Sequence, residues 1–232
     1  MMKKLFFLFF AALLVMPVSA AVIVPKVYPC GVVTYRDGHE ETYEQVELAQ
    51  KWSQKIKIKI DKEEQTIPAK DISCITYWLK DFPQEKCTIY CLSVLDDRKK
   101  NGKLLCEWGV PIMGNSWGVV FRCHDIYLLN QQTGEMRMLA YADESIESLA
   151  KPHLETWQPL LLQRKDMDHA IFIDSIRCYE DRKTKETQCE FCWPRKKAKL
   201  GAEIFKDNAE ISEQIIDGTL KASDLQYILD QM

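Results

Sequence analysis

The chain has 232 residues, 31 basic against 34 acidic side chains and a formal net charge of −3 at pH 7. That length is enough for one large or two small domains with a real core. The mild acidic balance argues against a protein that coats nucleic acid, which would need a strongly basic face.

The chain opens on Lys3 and Lys4, followed by an unbroken apolar run from Leu5 to Met16. Pro17 ends that run, and Val18-Ser19-Ala20 supplies small residues. This pattern reads as a secretory signal over residues 1–20, cut after Ala20. The run is about 12 residues, short of the ~20 that span a bilayer as a helix. No later stretch has that length either, so no transmembrane segment is expected after cleavage. The expected destination is the periplasm or the outside of the cell.

A β-rich region is expected over 21–142. Cys30 to Tyr35 is strand-like, and Asp37-Gly38 signals a turn. Lys55 to Ile60 alternates lysine and isoleucine, a half-buried strand. Asp61 to Gln65 reads as a polar turn. Three hairpins follow from paired apolar runs. A loop at 81–84 sets Cys74 opposite Cys91, a turn at Gly114-Asn115 sets Cys106 opposite Cys123, and a turn at Lys183-Thr184 sets Cys178 opposite Cys189. Directly opposed cysteines fall within disulfide reach, and exported cysteines meet an oxidising compartment. All nine cysteines lie beyond the leader, so at least one is left without an intrachain partner. A further hairpin turns at Thr133-Gly134.

Residues 143–232 read as a mixed region, either separate or joined to the preceding one. Asp143 can cap a short helix, and 151–165 reads as partly helical with a break at Pro159. Residues 169–180 return to strand character. Asn208 or Asp207 can cap a helix over 209–217 that ends at Gly218. Ser223 with Gln226 forms a capping box for the last helix, on which Leu225, Ile228 and Leu229 make one apolar stripe. Antiparallel β-hairpins in a meander, followed by C-terminal helices, make the expected fold α+β.

The tail carries a resemblance. Phe205, Asp207, Asn208, Glu210, Ile211 and Gly218 follow the F-x-D-x-x-E-[IL] pattern and helix-ending glycine that close many exported proteins of the Bacteroidota. Ala209 stands where proline is common in that group. The CGVVTYRDG segment at Cys30 is similar to their opening strand and turn. The resemblance covers about a quarter of the chain and implies export and a mixed β/α fold, but no reaction.

Several motifs bear on chemistry. Gly114-Asn115-Ser116-Trp117-Gly118 fits a nucleophile elbow with Ser116 as nucleophile, which needs a strand–turn–helix setting. It also fits the asparagine segment of papain-like peptidases, for which Cys30 and His39 are the remaining candidates. The following Val119-Val120-Phe121 favours a strand, and Gly-Asn at a hairpin tip explains the segment without catalysis. Cys189 and Cys192 form a C-x-x-C near Arg195, Lys196 and Lys197, a candidate redox pair if the first thiol starts a helix. Zinc could draw on Cys87, Cys91, Cys189 and Cys192, but residues four apart on a strand lie ~13 Å apart. No metal or other cofactor is expected. Arg195, Lys196, Lys197 and Lys199 are a candidate anion site, for a glycan or another envelope component. The expectation is an exported, non-catalytic binding or structural module. The alternatives are a thiol–disulfide protein using Cys189 and Cys192, and a hydrolase centred on Ser116 or Cys30.

Overall fold

The computed structural model describes residues 28–51, 53–95, 104–123, 126–139, 156–180, 187–192 and 202–232. The leader over 1–20, the helix expected after Asp143, the Lys183-Thr184 turn and the basic cluster Arg195, Lys196, Lys197 and Lys199 lie outside the described residues. Among the described residues no helix is long and apolar enough to cross a membrane.

The strands are β1 (Cys30–Tyr35), β2 (Glu40–Tyr43), β3 (Lys55–Ile60), β4 (Glu63–Pro68), β5 (Ile72–Leu79), β6 (Phe82–Leu95), β7 (Leu104–Gly114), β8 (Gly118–Cys123), β9 (Ile126–Leu129), β10 (Met136–Leu139), β11 (Thr156–Arg164), β12 (Ile171–Glu180) and β13 (Thr187–Cys192). The helices are α1 (Ala209–Asp217) and α2 (Leu225–Asp230). The fold is thus mostly antiparallel β with short C-terminal helices, broadly α+β. Nine strands form one sheet in the order β13-β12-β11-β8-β7-β6-β5-β1-β2. Its ladders are antiparallel throughout. Strands from both sides of residue 142 belong to this sheet, because β11 pairs with β8.

Lys55–Ile60 follows its two-residue period, burying Ile56 and Ile58. Its hairpin turns on Asp61 and Lys62, both at positive φ (50° and 73°), and β4 begins at once at Glu63. The polar turn is therefore two residues, because paired positive φ matches the strand twist. The β3–β4 hairpin, with Val46, Leu48 and Ala49, packs its apolar side on Val33, Ile75, Tyr77, Ile89 and Trp108. On the same face, further along, Val120, Leu160, Leu162 and Ile173 are covered by Phe205 and by Ile211, Ile215, Leu225, Ile228 and Leu229 of the two helices. The opposite face carries a third cluster around Leu92, Phe121, Cys123, Leu161 and Ala170.

Residues 156–164 correct the helical expectation for that segment, because they form β11, in the middle of the sheet. Leu160, Leu161 and Leu162 are buried in succession. A strand covered on both faces needs such a continuous run, and periodicity cannot tell it from a helix. Pro159 is tolerated because pairing with β8 begins only at Leu160, so the missing N–H falls at the rim of that ladder.

Helix α1 is capped by Asn208, whose side chain accepts from the Ile211 amide, and it ends at Gly218 with φ 83°. Helix α2 departs from its expected start. No side chain caps it, and Ala222–Asp224 forms a 3-10 turn in front of it. Asp224 bonds the Lys221 amide at 2.7 Å, and Gln226 reaches Asp230 instead of the helix start. The Ser223–Gln226 box is therefore not formed.

Candidate functional site

The Gly114–Gly118 segment holds the three-residue connection between β7 and β8, Asn115–Trp117, with Gly114 paired to Val119. Asn115 organises it. Its side-chain oxygen accepts from the amides of Trp117 (2.8 Å) and Gly118 (3.1 Å), and its amide donates to the Leu229 carbonyl of α2 at 2.5 Å. Trp117 lies between the Arg164 guanidinium, 4.6 Å from its ring centre, and the Phe205 ring at 5.6 Å. Arg164 in turn bonds Asp166 at 2.6 Å and Asp207 at 2.7 Å. These bonds lift the Arg164 pKa and hold the Asp166 carboxyl below its ordinary range. The segment thus works as the dock for the C-terminal helices. Ser116 sits exposed in a strand-to-strand turn, where the elbow geometry needs a strand-to-helix turn.

Cys30 and His39 lie at opposite ends of β1. Five strand steps put the cysteine roughly 17 Å from Tyr35, beyond which the histidine lies. His39 stacks on Tyr35 with centroids 4.0 Å apart and bonds Asp37 at 2.5 Å. The amide and ring of His39 together hold the Asp37 carboxyl below its usual range. The two candidates therefore share no site.

The cysteines fall differently from the expected hairpin registers. Cys74 pairs with Tyr90 rather than Cys91, because β5 and β6 join through Lys80-Asp81, with Leu79 opposite Phe82 and a bulge beyond Tyr77. Cys123 pairs with Gly109 rather than Cys106, because the turn is centred two residues later than expected and a bulge follows Pro111. A slip by an odd number of residues moves a side chain to the other face of the sheet. Cys74 and Cys91, and likewise Cys106 and Cys123, consequently lie on opposite faces. Cys178 does stand opposite Cys189, across β12 and β13. Cys189 and Cys192 are both in β13, an extended strand that sets them roughly 10 Å apart along its axis rather than at a helix start. Cys87 and Cys91 are likewise on one strand, β6. Among the described residues no group of three or more His, Cys, Asp or Glu is placed to hold a metal ion. Cys30, Cys74, Cys87, Cys91, Cys106 and Cys123 are free thiols.

One cysteine pair not matched by hairpin spacing comes together. Cys91 is opposite Trp108, and Ser93 is opposite Cys106, so Cys91 and Cys106 are diagonal neighbours on one face. Both are buried, at 3% and 5% exposure. The Cys91 thiol donates to the Ala69 carbonyl, at 3.2 Å, in the 3-10 turn over Ala69–Asp71. Arg36, in the turn after β1, roofs this corner. It donates to the Lys70 carbonyl (2.8 Å), the Cys91 carbonyl (3.1 Å) and the Ser93 hydroxyl (3.2 Å). Gln54 brackets Cys106 from the other side, its oxygen accepting from the Cys106 amide (3.1 Å) and its amide donating to the Cys106 carbonyl (2.9 Å). The neighbouring Cys106 thiol and burial push the Cys91 thiol up, while the neighbouring Cys91 thiol and Arg36 draw Cys106 below an ordinary thiol, against burial and Asp71. Neither Arg36 nor Gln54 carries a sequence signal for this role, since 55 residues separate Arg36 from Cys91 and 52 separate Gln54 from Cys106.

Comparison with protein-family models, curated proteins and solved structures finds no match for this chain.

Proposed function

We propose that the chain is an exported, non-catalytic binding or structural module of the bacterial envelope. The observation that carries this reading is what the polar side chains bond. Arg36, Gln54, Tyr77, Asn115 and Asn208 all bond backbone atoms of a different segment. Those bonds tie the sheet to the layers over it, or one end of the helical tail to the other. The best catalytic motif, at 114–118, is in this sense a structural joint. The leader and the tail pattern support export, and the basic run Arg195, Lys196, Lys197 and Lys199 supports an anionic glycan or envelope component as the partner.

Fractionation of cells expressing the chain, with intact mass measurement, tests the reading. The expected product begins at Ala21 and is recovered from the envelope or the medium. A cytosolic product that keeps its leader overturns export. Covalent capture of Ser116 by a fluorophosphonate probe overturns the non-catalytic assignment.

A further inference from the structure

We propose that Cys178 and Cys189, directly opposed on β12 and β13, become joined by a disulfide that staples the last strand of the sheet beside the helical tail. All nine cysteines of the chain stand in strands of the nine-stranded sheet, so their ladder partners can be compared. Among the described residues only Cys178 and Cys189 meet a cysteine across a ladder. The others each face a residue of another kind; Cys91, for example, meets Trp108, Cys106 meets Ser93 and Cys192 meets Ser175.

The register suits the bond. Opposed residues of an antiparallel pair have Cα atoms about 4.5 Å apart at one kind of site and about 5.5 Å at the other, and both fall within the span of about 4.4–6.8 Å between bridged cysteines. Closure therefore needs no slip of one strand past the other. The nearest competitor is Cys192. It stands three positions along β13 from Cys189, which puts it on the other face of the sheet and roughly 10 Å away along the strand. On the side away from β13, Cys178 is opposite Thr156 of β11.

Closure is a thiol–disulfide exchange. The thiolate of one cysteine attacks a small disulfide RSSR, forms a mixed disulfide and releases RS⁻. The second thiolate attacks the cysteine sulfur of that mixed disulfide, forms Cys178–S–S–Cys189 and releases the second RS⁻. The two cysteines lose two electrons and RSSR gains them, and the two thiol protons end on the two RSH. The strand that gains most is β13. It closes one end of the sheet with β12 as its ladder neighbour, and an edge strand is where a sheet opens or pairs with another chain. The 3-10 turn over Ala222–Asp224, which leads into α2, lies beside β13. Tying β13 to β12 thus steadies a neighbour of the start of α2.

The source of the oxidant rests on the exported reading, whereas the pairing belongs to the chain and is tested on it purified. The full chain, purified reduced, is treated with millimolar oxidised glutathione, its remaining thiols are alkylated, and it is digested with trypsin without reduction. Cleavage after Arg182, Lys183 and Lys185 sets the two cysteines on separate peptides. Mass spectrometry should find those peptides linked through Cys178 and Cys189, with Cys192 alkylated, and Cys192→Ser should keep the link. Reducing the oxidised chain should lower its melting temperature by roughly 5–10 °C and speed proteolysis of the tail severalfold. Cys178→Ser should match the reduced chain and no longer respond to reductant. Cys178 and Cys189 both alkylated after oxidation, in a chain whose circular dichroism is native, overturn the proposal, and so does a link from Cys178 to Cys192. Oxidised and reduced chains that melt alike and lose the tail at one rate overturn the stapling role. If the chain proves cytosolic while the purified chain forms the link as described, export fails and the pairing stands.

Discussion

Tyr77→Phe isolates how the sheet holds the layer over it. Tyr77 is fully buried, and burial pushes its hydroxyl pKa upward. That hydroxyl donates to the Glu47 carbonyl at 3.1 Å and accepts from the Ala49 amide at 3.0 Å. Removing the oxygen keeps the ring and its packing but takes the acceptor from a buried amide. Losing one partner of a buried hydrogen bond costs about 1–3 kcal/mol, and two bonds share this oxygen, so about 2 kcal/mol is expected. Urea unfolding followed by tryptophan fluorescence would show it as a midpoint lower by roughly 0.7–2 M with an unchanged slope. The melting temperature would fall by roughly 4–8 °C. A Tyr77→Phe chain within about 0.3 kcal/mol of the parent would refute the reasoning, since the segment around Ala49 would then be held by apolar burial alone.

Other outcomes follow from particular contacts. Gly134→Ala should destabilise by about 1–2 kcal/mol from its left-handed backbone alone (φ 77°), and more because the new Cβ would lie 2.5 Å from that of Phe82; thermal melts check this. Phe205→Ala should cost about 3–5 kcal/mol, since Phe205 is fully buried between sheet and helices, and proteolysis should then cut the tail first. Asn115→Ala should cost about 1–3 kcal/mol by freeing α2, while Ser116→Ala should change stability by less than about 0.5 kcal/mol, both measured by urea unfolding. Arg164 holds the Asp166 carboxyl below its ordinary value, so the pair's contribution is present above about pH 4 and is lost as pH falls below it. Acid titration of Arg164→Gln should show a shallower loss of stability than the parent across that window.

Where local chemistry decided the outcome, the residues could be read directly. Lys55–Ile60 alternates because one face meets water, and any pairing of that strand must bury Ile56 and Ile58 together. Asp37-Gly38 turns where glycine takes φ 91°. Asn208 and Gly218 bracket α1 because a side-chain acceptor and a left-handed residue satisfy helix ends locally. The cysteine map was less accessible. Cys178 opposite Cys189 was expected from loop parity, but the same parity misplaced Cys74 and Cys106, because bulges in β5 and β7 shift the count. A bulge reflects strain and packing along the whole ladder, and no residue announces it in sequence.

The amino-acid order by itself determined the Lys55–Ile60 alternation, the Asp37-Gly38 turn and the Asn208 and Gly218 ends of α1, because each of those choices is settled within a few residues by backbone φ, side-chain length and water. It also supplied the leader and tail patterns on which the export proposal stands. Only the tertiary structure decided that 156–164 is a central strand, since burial on both faces comes from neighbours distant in the chain. The meeting of Cys91, Cys106 and Arg36 was decided in the same way. Register between strands is a sum over every pair in the ladder, and it is there, rather than in any local motif, that the Cys91–Cys106 corner arises.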